Sequence, residues 1–307
     1  MSQRELAVLA DTLHLEQART LWSDSDLDPI EWPEEPAEGI EQLRHLLDTG
    51  ARRLVLFGGD DLVGRVVTTY QRRDDLGAYP LQLWPLKMRG SYVAGHLDAP
   101  VAPKKAVKLM EKGIDDWRRS RVRTLKVTAS TQQAAWYGFW FGAGWVYEVA
   151  EARRRARGGA THLVSALGRL ASETLADTQQ SAVAARVSVD YEPVERPGES
   201  LVASTLKKTP FGVGAGQENA LLWQGLSKRD LVSGAVTPGR LGGGGEGSEF
   251  EAVHLDSPGG WLLDGRLQGG EESSVLQIAP GPLVTLASPA GGIGAAVGRI
   301  LGRASLI

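Results

Sequence analysis

The stretch Leu54–Tyr70, LVLFGGDDLVGRVVTTY, constrains the fold more than any other part of the chain. Leu54, Val55, Leu56 and Phe57 form a short unbroken apolar run, which suits a buried strand of a parallel sheet. Gly58-Gly59 turns the chain, and Asp60 and Asp61 stand where a helix N-cap belongs. Val63, Val66, Val67 and Tyr70 then recur at helical spacing and would pack that helix back onto the sheet. Strand, glycine turn and helix start leave backbone N–H groups pointing outward, a geometry that cradles phosphate. A tight strand-to-helix turn with no ligand satisfies the same pattern.

The chain before this stretch repeats the theme. Glu5–Ala10 reads as a first strand, Ile30-Glu31-Trp32 as a second, and Pro36–Gly50 as a helix with Ile40, Leu43, Leu46 and Leu47 on one face. Gly50 is placed to stop that helix. The order β, α, β, α argues for a parallel sheet covered on both faces. Ligands bind at the C-terminal ends of such strands, where Gly58 and Lys87 would lie. Pro103–Arg119 is predicted as a further helix, with Val107, Met110, Ile114 and Trp117 as its buried stripe.

From Val122–Thr128 onward β-type segments dominate, which puts a domain boundary near residue 120. Ala134–Gly159 is dense in aromatics (Trp136, Tyr137, Phe139, Trp140, Phe141, Trp145, Tyr147), either a sheet core or the lining of an acyl-chain pocket. Arg153, Arg154, Arg155 and Arg157 follow as a basic cluster, a solvated helix end or a contact for anionic headgroups. Thr161–Leu175 is predicted as a helix. After Ala184 short strands alternate with turns (ARVSVDYEPV, LVASTLKK, FEAVHLDS, WLLDGRL, SVLQIAPG, PLVTLA), the rhythm of a β-sandwich or related antiparallel domain. Leu241–Ser248 is too glycine-rich to be held firmly. The last residues, GGIGAAVGRILGRASLI, read as a helix that either lies in a membrane surface or packs on the first domain.

Composition narrows the chemistry. The chain has 307 residues, a net charge of −3 and no cysteine, so disulfides, thiolate nucleophiles and cysteine metal sites are excluded. The net charge gives no electrostatic case for a nucleic-acid partner. His14, His45, His96, His162 and His254 show no metal-ligand spacing, so no metal ligands are assigned. No apolar run approaches the ~20 residues of a membrane span. The start, MSQRELAVLAD, lacks the apolar core of a signal peptide. A cytoplasmic protein is expected.

Taken with Leu81–Pro100, LQLWPLKMRGSYVAGHLDAP, the Leu54–Tyr70 stretch resembles the diacylglycerol kinase catalytic family, which includes bacterial lipid kinases and sphingosine kinases. Gly58, Gly59 and Asp60 match the start of the family's Gly-Gly-Asp-Gly-Thr motif. Pro85-Leu86 match the start of its Pro-Leu-Gly-Thr-Gly-Asn-Asp motif, and His96–Pro100 looks like the end of the helix that follows. Gly144-Trp145 stands at its Gly-Phe-Asp turn. Leu263-Asp264-Gly265 matches its Leu-Asp-Gly-Glu hairpin, although Asp-Gly is a strong hairpin turn in any chain. Departures are many. Asp11-Thr12 replaces Asn-Pro after the first strand, Asp61-Leu62 replaces Gly-Thr, and Gly64-Arg65 replaces Asn-Glu. Lys87–Ser91, with Arg89 among them, replaces Gly-Thr-Gly-Asn-Asp. Val146 and Arg266 stand at carboxylate positions.

The resemblance implies a nucleotide-binding-like α/β domain over residues 1–120, a β-rich lipid-kinase-like domain over 121–287, and a C-terminal tail helix over 288–307. It implies ATP and Mg as cofactors if the protein is active, with a lipid or anionic small molecule as partner and a possible peripheral membrane contact. Asp60 and Asp264 are the retained catalytic positions, and Gly58, Gly59, Asp60, Asp61, Pro85, Lys87 and Arg89 would line the nucleotide. Catalysis in this family is mostly positioning and charge neutralisation. Leu62 cannot hydrogen-bond, Lys87 and Arg89 would intrude where glycines belong, and Arg266 has no acceptor. The expectation is therefore a pseudokinase with lost or greatly reduced lipid phosphorylation. The alternative is a non-catalytic binding or scaffold protein. In either case the replacement of family carboxylates by Arg65, Ser91, Val146 and Arg266, with Lys87 and Arg89 entering the nucleotide loop, predicts a site that either binds an anion without a metal or closes as a salt-bridge network with Asp60, Asp61 and Asp264.

Overall fold

The computed structural model describes residues 5–72, 81–88, 91–97, 101–111, 117–131, 134–155, 186–194, 200–207, 219–224, 247–256, 259–269 and 275–289. The chain divides into two compact units, Met1–Val122 with Val284–Ile307, and Arg123–Leu283. Each is described in turn.

The first unit is a doubly wound α/β layer. Its strands β1 (Leu6–Ala10), β2 (Ile30–Glu31), β3 (Arg53–Phe57) and β4 (Gln82–Pro85) lie in the order β2-β1-β3-β4, all parallel. Leu9, Leu54, Val55, Leu56, Phe57 and Trp84 are fully buried, as strands covered on both faces require. Between them run α1 (Leu15–Trp22), α2 (Pro36–Asp48) and α3 (Asp60–Gln71). Pro36 opens α2, where its missing N–H costs nothing. Gly50, at φ +100°, closes it as the sequence implied. After β4 come α4 (Tyr92–Gly95) and α5 (Pro103–Glu111), the latter packed beside α1.

The second unit holds two antiparallel layers. Strands β7 (Trp140–Gly144), β10 (Ser200–Ser204), β11 (Leu221–Gln224), β12 (Ser248–Glu249), β14 (Gly260–Leu263) and β15 (Arg266–Gly269) form a sheet in the order β12-β11-β10-β7-β14-β15. In the other layer β13 (Val253–Asp256) pairs with β8 (Arg186–Val189) and with β16 (Val275–Pro289), and β8 turns into β9 (Glu192–Pro193). Strand β5 (Trp117–Ala129) pairs with β16 and with β6 (Trp136–Gly138). Leu125, Val127, Phe141, Leu201, Leu222, Val253, Leu255, Trp261, Leu276 and Ile278 meet in one core between the layers. Of the aromatic run, Phe141 lies in this core and Trp136 packs against it. Phe141 stacks on Trp261 at 5.8 Å, and Trp136 meets the same ring edge-on at 5.4 Å. Helix α6 (Trp145–Arg155) follows β7 directly.

Five expectations need correction. The helix predicted over Pro103–Arg119 ends at Glu111, and Trp117 opens β5 instead. Its ring stands edge-on to Trp84 at 4.9 Å with the Arg53 guanidinium over it, a better burial than one helical turn offers. Burial pulls the Arg53 guanidinium below its ordinary value, Glu5 opposes that shift and Arg119 adds to it. Second, the N-cap of α3 is Gly59, so Asp60 and Asp61 fall in the first turn. Third, α4 is a single turn that ends at Gly95. Fourth, SVLQIAPG and PLVTLA are one strand, β16, which carries through Pro280 and Pro282. Thr124 Oγ1 donates to the Pro282 carbonyl at 2.9 Å and holds the chain extended there. Fifth, Ser288 and Pro289, at the start of the predicted tail helix, belong to β16 instead. The predicted helix at 161–175, the rest of the tail at 290–307, the glycine stretch at 241–246 and the side chains of Arg153, Arg155 and Arg157 lie outside the described residues. Among the described residues no helix is long and apolar enough to cross a membrane.

Candidate functional site

The glycine turn sits at the C-terminal end of β3. Gly58 has no room for a side chain, since a Cβ there would stand 2.5 Å from Asp11 Oδ2 and 2.8 Å from Leu62 Cδ2. Asp11, at the end of β1, is held in place by His14, whose Nδ1 lies 2.6 Å from Oδ1 and whose backbone N–H donates to the same oxygen at 2.9 Å. Leu62 is fully buried. The residue at the family's threonine position thus packs against the turn as core. Gly59 differs, because a Cβ there would meet nothing within 4 Å. It is the N-cap of the twelve-residue α3, with no side chain capping the helix. We expect Gly58→Ala to destabilise the first unit by ~1–3 kcal/mol, as overpacking does. Gly59→Ala meets no neighbouring atom and should cost only alanine's poorer fit to the N-cap, about 1 kcal/mol or less.

Asp60 is committed to the backbone. Its Oδ1 accepts from the N–H of Tyr92 (3.0 Å), the N–H of Val93 (3.1 Å) and the Ser91 hydroxyl (3.1 Å), and Oδ2 accepts from Tyr92 N–H at 2.9 Å. The side chain is 5% exposed. The carboxylate therefore caps the first turn of α4 and ties the segment after β4 to the start of α3. Asp61 pairs with Arg65 at 3.2 Å. The Arg65 side chain, 9% exposed, also donates to the carbonyl of Pro33 at 3.1 Å. At the Asn-Glu position of the resemblance this chain thus carries a residue that fastens α3 to the loop after β2.

Pro85 pairs with Leu56 at the end of β4, and the Leu86 N–H continues the contact to the Leu56 carbonyl at 3.1 Å. Lys87 is exposed, and its N–H donates to the Val101 carbonyl at 2.8 Å just ahead of α5. Arg89 lies outside the described residues. Gly58, Gly59, Asp60, Asp61, Pro85 and Lys87 all belong to the first unit, at or beyond the C-terminal ends of β3 and β4.

Asp264, Arg266 and Val146 belong to the second unit. Asp264-Gly265 is the two-residue turn between β14 and β15, with φ of +52° and +85°. Both central residues are left-handed, the conformation such hairpins favour. The Asp264 carboxylate is 2% exposed and accepts from Phe139 N–H (2.9 and 3.1 Å) and Trp140 N–H (3.0 Å). Gly138 lies beside it, where a Cβ would come within 2.5 Å of Oδ2. Arg266 is half-buried at the start of β15. Val146 is fully buried and packs on Gly142. A cavity of about 560 Å³ in the first unit, lined by Thr12, Glu31, Trp32, Pro33, Glu34, Glu38 and Gln42, was not foreseen.

No family model matches the chain, and no curated protein matches it in sequence. Solved structures do match. A diacylglycerol kinase from Bacillus anthracis str. Sterne superposes with a TM-score of 0.53 at 10% identity, over 93% of this chain and 97% of its own. The fold is that of the diacylglycerol kinases. Two further Bacillus anthracis proteins, provisionally assigned as diacylglycerol kinases, give TM-scores of 0.57 and 0.55 at 12% and 14% identity, each over 93% of this chain and 98% of theirs. The diacylglycerol kinase fold thus spans nearly the whole chain, an α/β unit with a parallel sheet and a β-rich unit, as the resemblance implied.

Proposed function

We propose that this chain is a divergent protein of the diacylglycerol kinase fold that handles a diacylglycerol-like lipid, with phosphoryl transfer from ATP lost or greatly reduced. The observation that carries this reading is the commitment of Asp60. Four hydrogen bonds at 5% exposure leave its oxygens no open face for a magnesium ion. Leu62 beside Gly58 supplies no donor to a phosphate. These residues do not fit Mg-ATP, and no catalytic step is derived through it. Titration calorimetry with Mg-ATP should give no measurable binding at millimolar concentration, and radiolabelled ATP should leave short-chain diacylglycerol in detergent micelles unphosphorylated. Micromolar affinity with turnover would restore an active lipid kinase.

A second reading, recognition of a phosphate or anionic headgroup without a metal, has one feature in its favour. The N-terminus of α3 at Gly59 is open and uncapped by any side chain, and such an end attracts anions. Phosphate at about a hundred times its dissociation constant would stabilise the fold by ~2.7 kcal/mol. With EDTA present, melting in phosphate should exceed melting in chloride of equal ionic strength, and Gly59→Asp should abolish the difference. Equal melting temperatures in both salts would leave this second reading without support.

A further inference from the structure

Charge is distributed very unevenly along the first unit. Residues 11–48 carry eleven acidic and two basic side chains, whereas residues 81–122 carry nine basic and four acidic ones. The acidic segment includes β2 at one edge of the sheet and also α1, which packs beside α5, whereas the basic segment follows β4. In the basic segment Lys87, Lys104, Lys105, Lys108, Arg118, Arg119 and Arg121 are all exposed. None of the seven has a side-chain hydrogen bond or ion pair among the described residues. In α5, Lys108 lies four residues from Lys104 and three from Lys105, so it neighbours both on the helix surface. Val107 and Leu109, half-buried, flank Lys108 on either side, while Ala106 is buried. At the start of β5, Trp117 is pinned against Trp84 and Arg53, so the arginines after it are presented from a fixed point.

We propose that this flank, α5 with the opening residues of β5, docks the protein on an anionic membrane surface. The choice of a bilayer over other polyanions rests on the lipid-handling reading, because such a lipid resides in a membrane. It also rests on the half-buried Val107 and Leu109, which suit the headgroup boundary. Each basic side chain near such a surface strengthens partition about fivefold, and salt screens the attraction.

Cosedimentation of the full chain with vesicles, with neither nucleotide nor diacylglycerol present, tests this apart from any kinase activity. Binding to phosphatidylserine-rich vesicles should exceed binding to pure phosphatidylcholine and fall as salt rises. Lys104→Gln with Lys105→Gln and Lys108→Gln should weaken it on the order of a hundredfold, the three lysine-to-arginine changes should preserve it, and Glu34→Gln with Glu38→Gln should not weaken it. Equal binding of the glutamine variant and the wild type, or of neutral and anionic vesicles, overturns the proposal. So does tighter binding of duplex DNA than of anionic vesicles. If docking fails while micellar diacylglycerol is still bound, only the docking surface is wrong. If docking holds and no diacylglycerol binds, the lipid-handling reading is the one that falls.

Discussion

Asp264→Ala is expected to lower the melting temperature of the second unit by about 10 °C. The side chain is 2% exposed and is the hydrogen-bond partner of the Phe139 and Trp140 N–H groups. Removing it strands two interior donors, at about 1–3 kcal/mol each. It also leaves alanine at φ +52°, a left-handed position that costs an L-residue about 1–2 kcal/mol more. A total of about 4 kcal/mol corresponds to that shift for a unit of this size. Asp264→Asn keeps an acceptor oxygen and tolerates the left-handed turn, so its loss should be near 1 kcal/mol. Thermal unfolding of both variants checks the ladder. An alanine variant that melts with the wild type would mean that the carboxylate is held in reserve for chemistry.

Asp60→Ala should have the second largest effect, about 3 kcal/mol in the first unit. The Tyr92 and Val93 N–H groups and the Ser91 hydroxyl, at the start of the single turn of α4, lose their shared acceptor. Asp60→Asn should recover more than half of the loss. A carboxylate kept only for catalysis behaves oppositely, since strained, unmet charges in active sites commonly cost stability and their removal is neutral or favourable. Denaturant melts of the two Asp60 variants therefore separate a structural from a catalytic carboxylate without any activity assay.

Local pattern made much of the fold legible. The apolar run at 54–57, the glycines after it and the helical spacing that follows each act within a few residues, and β3 and α3 form where they imply. Gly50 and Asp264-Gly265 work the same way, through backbone positions that other residues enter only at a cost. Where sequence reasoning failed, the deciding partner lay far along the chain. Trp117 continues the helical stripe of Val107 and Met110, yet its ring packs on Trp84, more than thirty residues earlier. Pro280-Gly281-Pro282 looks like a turn, yet Thr124 holds it extended from 158 residues away. The candidate site was opaque for the same reason. That Asp60 and Asp264 match a motif is visible locally. That both are spent on backbone N–H groups 32–33 and 124–125 residues distant is not.

Strand β16 has a consequence for how the chain is made. Its first half pairs with β13, while Thr285 and Leu286 pair in parallel with Gln82 and Leu83 of β4. The first unit is thus built from the beginning of the chain plus a strand that leaves the ribosome more than 150 residues after the rest of that sheet. Until then β4 presents a bare edge, the kind of surface on which nascent chains pair wrongly. The second unit, Arg123–Leu283, is contiguous and can complete itself first. The usual order of synthesis is inverted here, with the domain that begins the chain the last to close.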